Sequence, residues 1–398
     1  MSASTQPVTS TQDRPDFVPL EGSVNLPIYL LAALLPVRGL ESLGVQINVP
    51  TNSAAAILLI GISLLIAPRW KLLIPTLTAS IVGLVGWLAA VSFFLHGDLA
   101  ERRLFNLLVL VLIAGVIGSG RLELRSVVRG LLFGYIATII ISVALLPESS
   151  YEGRLTGLLG DPNAAGYTVT SLGLALLQSL KPGKYRNLLL GIVAIAAVLT
   201  VSRTSMFALA VGLLWVMFSR RMRALLSLAL LGAAMWLYQW SNELMDERGW
   251  FSEREGSDNL RERLLLEEQR IVDTAGWFGH GLGKNTAEVG DATLFFHNSY
   301  LSLQAEGGRV ALILLIVAGI GLYAKFYTLP NSHRPVWAEA GIIAALICAF
   351  NIGFALTSVP IAVTIGLYLS YHGYARSQLE AAVAADASEI VPMAKRLR

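Results

Sequence analysis

The chain has 398 residues, of which 55% are hydrophobic and only 14% charged, with 30 Lys and Arg against 27 Asp and Glu. Soluble domains carry roughly a quarter charged residues, so this composition and a mean hydropathy of +0.62 exclude an ordinary soluble enzyme and place the chain among membrane proteins. The net charge of +3 says less than where the charges fall.

Residues 1–23 are polar, hold Pro7, Pro15 and Pro19, and lack the cationic start, apolar stretch and small-residue cleavage site of a signal peptide. They are predicted to be a disordered cytoplasmic tail. Apolar runs follow, near the roughly 20 residues a helix needs to cross a bilayer. They give twelve predicted spans: 25–38, 53–68, 72–95, 104–119, 131–146, 164–180, 188–202, 204–218, 224–240, 300–324, 337–356 and 359–374. The predicted fold is an all-α, polytopic transmembrane helical bundle. Nine helices fill 24–240, a long loop spans 241–299, three helices fill 300–375, and 376–398 form a second cytoplasmic tail.

Orientation follows from Lys and Arg in short loops, which concentrate on the cytoplasmic side. With the amino terminus inside, the inner loops hold thirteen: Arg69, Lys71, Arg121, Arg125, Arg129, Lys181, Lys184, Arg186, Arg220, Arg221, Arg223, Lys325 and Arg334. The short outer loops hold six: Arg38, Arg102, Arg103, Arg154, Arg203 and Arg309. This bias predicts a multi-pass inner-membrane protein with both termini cytoplasmic and the 241–299 loop periplasmic. Within that loop, NLRERLLLEEQRIVDT (259–274) has the spacing of an amphipathic helix lying on the membrane face, and GWFGHGLGKN (276–285) reads as a glycine-rich turn. The one cysteine, Cys348, lies in an apolar run and leaves no intramolecular disulfide.

Polar residues gather at the predicted outer ends. The apolar stretch from 188 to 218, divided only by Arg203, would be about 46 Å as one helix, too long for a hydrocarbon core near 30 Å. It is predicted to fold as a hairpin with Ser202, Arg203 and Thr204 at the tip. Arg203 is costly there unless it meets an anion or a wet cavity; the alternative is snorkelling to lipid phosphates. Arg154 lies in a glycine-containing stretch with Gly157 and Gly160, and a second guanidinium fork on the same face suits a pyrophosphate, although either arginine alone also reads as a surface charge. Asp161, Pro162 and Asn163 stand where an N-cap is needed; Asp161 also suits orienting an arginine or contacting a sugar hydroxyl. His297 begins an apolar helix with Asn298 as a ready cap, and its side chain accepts a proton near neutral pH. His280 is a weaker rival, and His96, His333 and His372 look incidental. No metal-ligand, Walker A or nucleophile-elbow motif occurs, so no cofactor is expected.

In order, R-x-x-G at Arg154–Gly157, D-P-N at Asp161–Asn163, S-R-T at Ser202–Thr204 and H-N-S-Y-L at His297–Leu301, the chain resembles the O-antigen ligase and polymerase family over roughly residues 50–370. After His297 and Asn298, Gly308 falls where family ligases have glycine, while Ala311 stands where they have Gly, Thr or Tyr. The resemblance implies a membrane glycosyltransferase (GT-C-like) architecture. It also implies an oligosaccharide donor carried on undecaprenyl pyrophosphate, an acceptor that is lipid A core or a second lipid-linked repeat, and no nucleic-acid partner. The implied chemistry is inverting and metal-independent: His297 activates the acceptor, Arg154 and Arg203 meet the departing pyrophosphate, and Asp161, Asn163 and Asn298 contact substrate. Ligase is the first reading and polymerase the second. A secondary transporter is the rival of another class; transporters place polar sites near the midplane, whereas these residues fall at outer ends.

Overall fold

The computed structural model describes residues 20–247 and 255–396, apart from 21, 41–42, 46–48, 71–74, 98, 150, 152 and 291. The tail predicted over 1–23 therefore lies almost wholly outside the described residues. The described helices are, in order, α1 (Leu26–Leu34), α2 (Thr51–Ser63), α3 (Pro75–His96), α4 (Glu101–Gly118), α5 (Leu124–Ala144), α6 (Pro162–Leu177), α7 (Lys184–Leu199), α8 (Arg203–Phe218), α9 (Ala224–Glu247), α10 (Glu255–Ala275), α11 (Ser299–Phe326), α12 (Val336–Cys348) and α13 (Val359–Arg396). Between α10 and α11 a small antiparallel hairpin pairs β1 (Thr286–Val289) with β2 (Ala292–Phe295).

Each of the twelve predicted spans corresponds to one apolar helix, and α10 takes the place of the predicted amphipathic helix. The stretch 188–218 does fold back on itself. Thr200 ends α7, Val201 takes a positive φ of 49°, and the Ser202 hydroxyl caps α8 by accepting from Ser205 N at 3.4 Å. Among the described residues, three segments are long and apolar enough to cross a membrane: Pro75–Leu95 in α3, Leu124–Ala144 and Ser299–Phe326. Thr51–Ser63, Arg203–Phe218, Ala224–Tyr238 and Val336–Cys348 are shorter apolar helices.

At nine residues, α1 is about 13 Å long and cannot span a bilayer by itself. It is held instead by α5, on which Gly130 and Gly134 lie one turn apart. A Cβ at Gly130 would strike the Tyr29 carbonyl, and one at Gly134 the Ala33 carbonyl. Small residues four apart let two backbones touch where lipid supplies no hydrophobic drive for association. The centre of the bundle is α6, buried at every position except Asn163 and packed by α7, α8, α12 and α13. Its neighbour α12 comes close because Gly341 leaves room for the Ser171 carbonyl.

The connections fall alternately at two ends. At one end, Arg38 after α1 meets Asp161 before α6, and Leu155 N donates to Leu199 O at the end of α7. At the other, the Trp70 indole after α2 donates to Gly118 O at the end of α4, and Trp337 N donates to the Gln178 side chain after α6. That second end is anchored by Arg334, fully buried, whose Nη2 is 2.6 Å from Glu339 Oε2, while the Trp215 indole donates to the same oxygen at 2.9 Å.

Gly134→Ile should push α1 off α5 and lower the melting temperature in detergent, by an amount equivalent to about 1–3 kcal/mol of overpacking. Gly115→Ala, where an added Cβ meets nothing within 4 Å, should leave it unchanged or slightly raised. Equal melting temperatures in the two variants would show that the glycine pair does not hold α1.

Candidate active site

The Asp161 end is organised by a break in α11. At Gly308 the backbone turns to φ 67°, ψ −164°, a conformation that favours glycine, and the helical bonds across it are lost. The glycine-rich turn after α10 enters the gap. His280 N donates to Ala305 O at 2.7 Å and Gly281 N to Glu306 O at 2.9 Å, while Arg309 N and Val310 N donate back to Gly276 O and Trp277 O. The Trp87 indole of α3 takes the remaining carbonyl, Gly307 O, at 2.8 Å. A Cβ at Gly279 would lie 2.5 Å from Glu306 O, so only glycine lets the loop come this close.

Glu306, 1% exposed, pins the same junction from its side chain. Arg103 at the start of α4 forks onto both carboxylate oxygens at 3.1 and 3.3 Å, and Gly283 N donates to Oε1 at 2.9 Å. A carboxylate inside an apolar helix must find such a partner. Arg103 also donates to the Thr357 hydroxyl at 3.3 Å.

The residues singled out in the sequence lie on loops and helix starts at the same end. Asp161 caps α6, its Oδ1 accepting from Asn163 N and Ala164 N at 3.0 and 3.1 Å, while its Oδ2 is 3.3 Å from Arg38 Nη1. It both caps and orients an arginine, and that arginine is Arg38. Arg154 donates to Thr200 O and Val201 O at 3.0 and 3.3 Å, a cation on the last carbonyls of α7. It thereby ties the 151–160 loop to the turn that carries Arg203, the half-buried first residue of α8. Asn163 is half-buried on the first turn of α6. Asn298 caps α11, accepting from Tyr300 N and Leu301 N at 2.8 and 3.2 Å.

His297 is half-buried, and its backbone N–H donates to Glu268 Oε1 at 2.6 Å. Glu268 projects from α10 and is fully buried; among the described residues its Oε2 has no hydrogen-bond partner. Burial pushes this carboxyl up to about 7, against the lowering effect of the His297 and Asn298 amides.

The segment 349–358, most of which falls in the span predicted over 337–356, links these pieces. After α12 stops at Cys348, Ala349 O accepts from Ser299 N, and Asn351 bonds to Thr204 of the hairpin tip and to Tyr238. Gly353 packs on the Phe296 carbonyl beside His297 N, Phe354 lies 4.2 Å from the Arg38 guanidinium, and Ala355 O and Ser358 meet the Tyr167 hydroxyl. Arg38, Arg103, Glu268 and Glu306 are the residues that sequence reasoning missed as site elements. The one available signal was Glu306, a carboxylate in a predicted span.

Because the folded-state pKa of Glu268 is raised, its protonation contributes stability fully below about 4.5. That contribution is lost as pH rises through about 7. The parent protein should thus melt at lower temperature at pH 8 than at pH 5, and Glu268→Gln should flatten that difference. A Glu268→Gln profile as steep as the parent's would assign the effect to another group.

A comparison with curated proteins finds no match. Residues 188–316 match the family model described as O-Antigen ligase, Wzy_C, and these residues run from α7 through the Arg203 turn and the long loop past the break in α11. The family resemblance carried by the sequence motifs is thus found again over the segment that holds Arg203, His297 and Asn298.

Proposed function

We propose that this protein is an O-antigen ligase-like glycosyltransferase of GT-C-like architecture, with twelve spans, both termini cytoplasmic and the Asp161 end facing the periplasm of a bacterial inner membrane. It moves an oligosaccharide from undecaprenyl pyrophosphate to a lipid A core acceptor. The observation that carries this reading is the family match over 188–316, which encloses both the arginine-bearing turn and His297. In the step itself, an acceptor hydroxyl oxygen bonds to the anomeric carbon, whose bond to the diphosphate breaks. His297 takes the hydroxyl proton, and the departing diphosphate keeps the electron pair and is met by Arg203 and Arg154. Asp161, Asn163 and Asn298 line the approach as sugar contacts. The transporter reading would need the α11 break to line a binding cavity; instead, loop backbone fills it.

The test is a purified-component reaction offering a lipid-linked oligosaccharide together with lipid A core or a second lipid-linked repeat. Consumption of lipid A core supports ligase, consumption of the repeat makes the protein a polymerase, and solute uptake by proteoliposomes without transfer makes it a transporter. In the same assay His297→Ala should lower single-turnover rate by roughly 10²- to 10⁴-fold with donor binding retained. Arg203→Ala should weaken donor binding, with Arg203→Lys rescuing only part because the bidentate fork is lost. Near-normal turnover in His297→Ala would remove it from the mechanism.

A diphosphate leaving group held by guanidinium groups needs no bridging ion. Transfer should therefore persist after exhaustive chelation with EDTA. Activity lost on chelation and restored by added magnesium would overturn the metal-independent step.

A further inference from the structure

A cavity of about 240 Å³ opens at the Asp161 end among the link after α1, the first turns of α2, α4 and α6, and the 354–360 segment. Its chemistry differs from that expected of a diphosphate site. Both arginines in its wall are already matched by carboxylates, Arg38 by Asp161 at 3.3 Å and Arg103 by Glu306 through two bonds. The rest of the polar wall is neutral, including Asn52, Asn106 and Thr168, with Phe354 as a ring at one side. Arg103 and Asn106 lie three apart on α4, so both reach the cavity from one helix face. Neutralised charges and amides recognise hydroxyl groups, which both donate and accept, better than they recognise a dianion. The volume is below that of ordinary drug-sized pockets, which suits a single sugar ring.

Two further observations give this cavity a place in the reaction. All its lining residues lie outside 188–316, on either side of it in the chain, so the segment that carries Arg203 and His297 contributes nothing to its wall. It is nevertheless linked to His297 through one short segment: Phe354 is in the wall, and Gly353 before it packs on the Phe296 carbonyl beside His297 N. We propose that this cavity is the subsite for an uncharged, hydroxyl-rich sugar ring of the acceptor, held by Asn106, Thr168 and the two neutralised arginines. The assignment to the acceptor rests on the glycosyl-transfer reading; the sugar-binding property does not.

The experiment measures binding by calorimetry to the purified full chain. Two lipid-free probes are compared, a dephosphorylated core oligosaccharide and a repeat-unit oligosaccharide hydrolysed from its carrier, and the one that binds names the acceptor's source. Asn106→Leu, which keeps the branched heavy-atom skeleton, and the isosteric Thr168→Val should each weaken binding about five- to tenfold, the worth of a lost neutral hydrogen bond. Melting temperature and donor binding should be unchanged, and millimolar inorganic pyrophosphate should not displace the sugar. No measurable sugar binding to the parent chain, unaltered affinity in both variants, or displacement by pyrophosphate would overturn the proposal. Sugar binding that obeys the prediction in a protein without transferase activity would keep the cavity and sink the glycosyltransferase reading; transfer with sugar affinity untouched by both variants would do the reverse.

Discussion

A backbone group stripped of its partner and shut away from water costs several kcal/mol, and α11 frees several at once by breaking at Gly308. The break is tolerable only because the loop after α10 supplies amides to the Ala305 and Glu306 carbonyls and carbonyls to the Arg309 and Val310 amides. Helix and loop therefore stabilise each other, and neither conformation makes sense alone. The Arg103 to Glu306 pair fastens α4 to the same point, and removing one partner of such a buried pair is far more damaging than its net worth suggests.

From this junction the position of His297 follows. It is the last residue before the Asn298 cap, so α11 fixes it from one side; Glu268 of α10 holds its backbone from the other. The loop that closes the α11 break is the same loop whose helix carries Glu268. Geometry at the proposed base thus depends on contacts ten residues further along the chain, and a disturbance at Gly308 or Gly279 would be felt at His297 without touching it. The arginines divide in a similar way. Arg38 and Arg103 answer carboxylates, whereas Arg154 spends two N–H groups on the end of α7 and so acts first as a brace for the turn that presents Arg203.

Much of the helix inventory was legible because hydropathy reports burial in lipid directly. The hairpin at 200–202 followed from length alone, and the caps at Asp161 and Asn298 from side chains that compete well for free amides. What escaped was set by backbone geometry or by distant partners. Glycine is nearly neutral on a hydropathy scale, so Gly308 inside α11 and Gly353 after α12 left the apolar runs looking continuous, although one breaks a helix and the other lets the chain cross Phe296. The β1–β2 hairpin, four residues a side, is too short for an alternation to stand out. Arg38 and Arg103 counted only as outer charges because their partners lie 123 and 203 positions away.

The last helix extends well past the span read from its sequence. As a continuous run of 38 residues, α13 is about 57 Å long, nearly twice a hydrocarbon core of about 30 Å. Its first turn lines the cavity wall at Val359 and Pro360, so a helix of this length runs on past the opposite end of the bundle. A group joined to its exposed turns ahead of Pro392, where a helix kinks, is held at a fixed azimuth as well as a fixed height. Adding one residue to the emerging part would swing that cargo through about 100° around the helix axis and raise it by about 1.5 Å. A probe or second protein attached there would report rotation of α13 against the bundle as a goniometer arm reports its spindle.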